Sequence, residues 1–144
     1  IGHYMIKTTL LSLVFLATVT VDRSKVRFGD VDAFLKSQNG NVGVIESQKV
    51  YKAIPAYNKI NLEKVKKDSA RWFELMSKAT KEYKKCIREV AKSQNLSLVV
   101  ELGGIQNYKV VNITDLCIKR VKTITLSLYP KSQKSKDTYP KSQK

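Results

Sequence analysis

Hydrophobic residues in this chain occur either in short unbroken runs or in long periodic stretches, and the two patterns predict different elements. Val42–Ile45 (VGVI) is a compact β-prone run, and Glu46–Ile54 directly after it takes up helical spacing, with Val50 and Ile54 on one face. From Tyr57 to Lys92 there is neither Gly nor Pro and charged residues are dense, which predicts a long helix. Its apolar positions Val65, Trp72, Met76, Ala79, Tyr83, Ile87 and Val90 step by seven, four, three, four, four and three, a narrow stripe suited to a coiled-coil seam. The other face carries Lys66, Lys67, Lys78, Lys81, Lys84, Lys85, Arg88 and Lys92.

The stretch SLVVELGGIQNYKVVNITDLCIKRV (Ser97–Val121) opens with a second apolar run, Leu98–Glu101, followed by a bend at Gly103 and Gly104 and a third run over Tyr108–Asn112. Asn112 or Thr114 can cap a helix starting near Asp115, in which Ile113, Leu116, Cys117, Val121 and Ile124 recur at helical spacing. Asn95-Leu96-Ser97 and Asn112-Ile113-Thr114 match the glycosylation sequon, but turn and cap roles account for both. Asp22–Asn41 mixes apolar and polar residues and ends in the turn-forming QNGN, so it reads as a short strand or helix entering a loop.

A strand must pair to satisfy its backbone, and here the pairing is a geometric problem. A helix unbroken from Glu46 to Lys92 would be about 70 Å long at ~1.5 Å per residue and would hold Val42–Ile45 and Leu98–Glu101 at opposite ends. Either the helical region doubles back as an antiparallel hairpin around Lys67–Ala70, where Asp68 and Ser69 interrupt the stripe, or the strands find partners in other subunits.

Charge adds the class of partner. The 27 basic against 12 acidic residues among 144 give a net charge of +15, which implies nucleic acid, phospholipid, lipopolysaccharide or acidic polypeptide without choosing among them. Lys7 followed by the uncharged Thr9–Val21 has the order of a signal peptide, with a retained anchor or a buried helix as alternatives. Cys86 and Cys117 lie 31 positions apart with no Cys-x-x-Cys, so no metal site and no cofactor is expected. They are either two apolar thiols or, if their helices pack together in an oxidising compartment, one disulfide. YPKSQK occurs at Tyr129–Lys134 and again at Tyr139–Lys144, a composition expected of a disordered basic tail. The chain thus divides into a leader (1–21), a leading segment (22–41), a domain (42–126, helical arm about 46–95) and the tail (127–144).

The order of strand, helix beginning S-Q-K-V, long basic helix, strand, glycine bend and N-I-T-D helix resembles the Skp/OmpH family of periplasmic chaperones. VGVIESQKVYKAI is similar to that family's opening strand and first helical turn, and VAKSQNLSLVVELGGIQNYKVVNITDLCIKRV to its closing segment, so the resemblance spans about Val42–Val121. It implies an α+β fold and a homotrimer. A small β-strand body is assembled between subunits, and an antiparallel coiled-coil hairpin projects from each. The oligomerisation residues would be Val42, Val44, Ile45, Leu98, Val99 and Val100. The helical region is much shorter than in the family, about five turns per arm.

The function implied is an ATP-independent periplasmic holdase for unfolded outer-membrane proteins, with lipopolysaccharide or anionic phospholipid as further partners. Trp72, Phe73, Met76 and Tyr83 are the candidate apolar client contacts, Met in particular tolerating many shapes. Lys66, Lys67, Lys78, Lys81, Lys84, Lys85 and Arg88 would attract acidic clients. Two other classes stay open: an envelope-anchored coiled-coil structural protein, and a basic nucleic-acid-binding protein, which has charge as its only support because no base-reading motif is present. An enzyme is not expected, since the chain has one histidine, no activated-nucleophile pattern and no glycine-rich phosphate loop.

Overall fold

In the computed structural model, which describes residues 17–128, two sheets form between strands of the same chain. The element order is β1 (Thr20–Val21), β2 (Val26–Gly29), α1 (Val31–Ser37), β3 (Asn41–Ile45), α2 (Ser47–Ala53), α3 (Pro55–Leu62), α4 (Ala70–Ser93), β4 (Leu96–Glu101), β5 (Ile105–Gln106), β6 (Val110–Asn112) and α5 (Thr114–Leu128). The main sheet runs β2-β4-β3-β6, and β1 pairs with β5 in a second, two-stranded sheet.

β3 and β4 are parallel because the chain between them is a long helical crossover, the connection that parallel neighbours require. β6 also runs parallel to β3, whereas β2 lies antiparallel to β4 at the other edge. With a strand on each side and a layer on each face, β3 is buried throughout Val42–Ile45, which is why its sequence is apolar without alternation. Beneath one face, Val31 and Phe34 of α1 pack with Val42, Val44, Leu98 and Val100. Over the other, Ile45 and Val99 meet the buried sides of α2, α4 and α5.

This arrangement overturns the expected intersubunit body and projecting arm. Val42, Val44, Ile45, Leu98, Val99 and Val100, expected at a subunit seam, are all buried inside one chain, where β3 and β4 pair with each other. No long coiled-coil hairpin forms among the described residues, for two local reasons. Pro55, which lacks an N–H, takes the first position of α3 and holds Ile54 extended (φ −83°, ψ 122°), so the helical region breaks after Ala53. After Leu62 the chain turns through residues 63–69, with Lys64 and Asp68 at positive φ, and Ser69 caps α4 by accepting from Trp72 N at 3.2 Å. The chain does reverse just ahead of Ala70, but the returning partner is the eight-residue α3, and α4 lies against the sheet and α5.

The folded unit also extends beyond the expected boundaries. Thr20–Val21, placed in the leader by its apolar run, pairs with Ile105–Gln106, and Asn107 Nδ2 donates to Thr18 O at 2.9 Å. The leading segment supplies β2 and α1. Most of the leader and the YPKSQK repeats lie outside the described residues.

Candidate polypeptide-binding groove

On α4, Arg71, Leu75, Lys78 and Glu82 recur every three or four residues and so form one stripe. That stripe, with Pro55, Ala56 and Lys59 of α3 and Thr125 of α5, lines a groove of about 500 Å³. A shallower hollow of about 300 Å³ shares Pro55 and Thr125 and continues onto Ala53, Lys122 and Leu126. The break at Pro55 therefore does more than end a helix, because it places a rigid apolar corner where the two hollows meet.

Half-buried Pro55 and exposed Leu126 make the groove's apolar surface, Leu75 and Ala56 lie buried beneath it, and four cations stand around it: Lys59, Arg71, Lys78 and Lys122. Glu74 accepts from both Arg71 (3.0 Å) and Lys78 (2.7 Å), and Arg71 also reaches Glu63 at 3.4 Å. Such exposed pairs contribute little net stability, but they fix where the two cations sit. Lys59 and Lys122 make no ion pair among the described residues. Glu82 is the groove's acidic member, and burial raises its carboxyl above the ordinary range.

A second polar cluster lies where α2 leaves the sheet. Ser47 N donates to Glu101 Oε1 at 2.8 Å, Ser47 Oγ donates to Glu101 Oε2, and Tyr83 OH donates to Ser47 Oγ. Arg27 Nε closes the set on Glu101 Oε2 at 3.3 Å. Burial pushes the Tyr83 phenol up to about 12, against the opposing pull of the Ser47 hydrogen bond. The arrangement is a cap: Glu101 supplies from β4 the acceptor that Glu46, the residue preceding α2, does not.

The expected client-binding residues are separated by the fold. Tyr83 is only 5% exposed and stacks on Tyr51 at 4.5 Å between ring centroids, so it is a core residue and offers nothing to a client. Trp72 and Met76 are half-buried, while Phe73 is 56% exposed and meets Trp72 edge-on at 5.1 Å. Lys66 and Lys67 stand on the turn before α4, and Lys78, Lys81, Lys84, Lys85 and Arg88 are exposed along α4 itself. Of these seven cations the groove gathers only Lys78.

Sequence reasoning missed Pro55, Lys59, Leu75, Lys122 and Thr125. One signal for them was present: Leu75 and Cys86 lie beside the chosen stripe, at helical spacing from its Ala79 and Val90, and mark a face wider than a two-helix seam. Comparison with family models, with curated proteins and with solved structures finds no match to the chain.

Proposed function

We propose that this protein is an ATP-independent holdase of the periplasm that retains unfolded outer-membrane proteins, gripping extended apolar-acidic segments in the groove between α3, α4 and α5. The observation that carries the reading is the pairing of an apolar floor with a rim of four cations on a chain of net charge +15. An extended client segment alternating apolar and acidic residues would bury the first against Pro55 and Leu126 and set the second against Lys59, Arg71 and Lys122. Because the rim pairs are solvent-exposed, their attraction is weak, multipoint and screened by salt. Phe73 and Leu62, both exposed near the turn that joins α3 to α4, add apolar surface at one end. The compartment and the client class are carried over from the residue-pattern resemblance of Val42–Val121 to the Skp/OmpH family and from the apolar leader, whose last two residues, Thr20–Val21, belong to β1. Grip by a groove replaces enclosure by long arms.

The test is light scattering while a urea-unfolded outer-membrane barrel protein is diluted into buffer containing the full chain. Suppression of aggregation that weakens with salt, and that drops several-fold in a Lys59→Glu/Lys122→Glu variant of unchanged circular dichroism, supports the proposal. No suppression at molar excess would reject the holdase reading. Suppression that the double variant leaves intact would reject the groove. Equal retention of duplex DNA at physiological salt would show that the charge serves any polyanion.

A further inference from the structure

The chain's only two cysteines, Cys86 of α4 and Cys117 of α5, are both fully buried and meet where these helices cross. Cys86 Sγ donates to the main-chain carbonyl oxygen of Cys117 at 3.0 Å, so one sulfur already rests on the backbone of the other cysteine. The helix register at this crossing is reported independently by a second pair. Glu89 accepts from Arg120 at 2.5 Å, and each of these residues lies three positions beyond a cysteine, so both pairs share the offset of 31 residues. Two side chains one helical turn apart on each helix therefore face their counterparts across the same seam.

We infer that Cys86 and Cys117 are a disulfide-forming pair, joining α4 to α5 by an intramolecular bond when the protein meets a small-molecule disulfide oxidant. The chemistry is two successive exchanges. A protein thiolate attacks the external disulfide, forming a mixed disulfide and expelling one thiolate. The second protein thiol, losing its proton, attacks the protein sulfur of that mixed disulfide and expels the other. Two protein thiols are oxidised, and one external disulfide is reduced to two thiols.

Full burial sets when the bond forms. Neither sulfur is open to an oxidant in the folded chain, so oxidation takes place during folding or when α5 lifts from α4. The bond would fix the first half of α5, whose second half carries Lys122 and Thr125 to the groove, but its formation does not depend on what the groove holds.

The experiment is refolding of the full chain from urea in graded mixtures of reduced and oxidised glutathione, with acid quench, alkylation and intact mass measurement. The result expected is a monomer two hydrogens lighter that resists alkylation, with the tryptic peptide Cys86–Arg88 joined to Val110–Lys119. A parallel equilibration in concentrated urea separates fold from chance encounter. A native pair in good geometry raises the effective concentration of one thiol for the other roughly 500-fold above its value in the unfolded chain, the factor expected for a closed loop of this length. Two free thiols after refolding, glutathione adducts alone, or an effective concentration no higher than in urea would overturn the inference.

Discussion

Ser47 N donates to Glu101 Oε1 across 2.8 Å, so the last residue of β4 caps the helix that leaves its parallel neighbour β3. The side-chain cap that α2 lacks locally thus comes from a residue 54 positions away, and its formation depends on the register that pairs Ile45 with Glu101. Replacing Glu101 by Ala leaves Ser47 N–H and Arg27 Nε–H without their acceptor. We expect a loss of about 1–3 kcal/mol in urea-induced unfolding. Glu101→Gln, which keeps an acceptor oxygen, should recover part of it.

The Tyr83 phenol ties the same cap to the core. Its value of about 12 in the folded chain lies above that of an unfolded tyrosine, so the unfolded state loses its proton first as pH rises. Stability contributed through the neutral phenol is whole below about pH 10 and falls as pH climbs toward 12. Tyr83→Phe should therefore be less stable than the parent at neutral pH, and the difference should shrink across that window. Denaturation series at several pH values, with absorbance titration of the phenolates, check both the sign and the range.

Glu82 works in the opposite pH range. Burial raises its carboxyl, so the folded chain holds the proton more tightly than the unfolded chain does, and this group's contribution falls as pH rises through the carboxylate range. Glu82→Gln should raise the midpoint of urea unfolding at neutral pH and leave it unchanged in acid, where both residues are neutral. The same variant removes the groove's one lining carboxylate and should strengthen retention of acidic peptides, measured by fluorescence anisotropy.

Gly29 ends β2 at φ +96°, and a Cβ built there would lie 2.2 Å from the carbonyl oxygen of Ser97. The edge strand meets β4 this closely past a register shift between Val26 and Phe28. Gly29→Ala combines a disfavoured φ with a backbone clash and should cost about 2 kcal/mol or more by thermal or urea unfolding.

Local chemistry was readable where it acts within a few residues. Val42–Ile45 and Leu98–Glu101 are strands, Asn112 Oδ1 accepts from Thr114 N at 3.0 Å at the start of α5, and Ser69 caps α4, where the interruption of the stripe had suggested a reversal. Asn95, at φ 50° after α4, and Asn112 have the turn and cap roles that compete with a sequon reading. The burial of Tyr83 and the exposure of Phe73 agree with the stripe, on which Tyr83 sits and beside which Phe73 lies; that Trp72 and Met76, also on it, stay half-buried was not readable, since adjacent stripes on one helix differ by only part of a turn. The groove was harder still, because Pro55, Leu75 and Thr125 come from three helices and each looks ordinary by itself.

The sequence by itself determined the two central strands, the net charge and the starts of α2 and α5, because hydrophobic period, capping and Coulomb attraction are properties of neighbouring residues. Tertiary structure decided that β3 and β4 pair within one chain, that α4 turns a broad face to the sheet, and that Cys86 meets Cys117. The physical reason is burial. A strand's need for partners does not say which strand will meet it, and an apolar stripe does not say whether another helix or a whole sheet will cover it. The break at Pro55 and the turn before Ser69 settle both, by bringing the two central strands side by side and leaving α4 to lie across them.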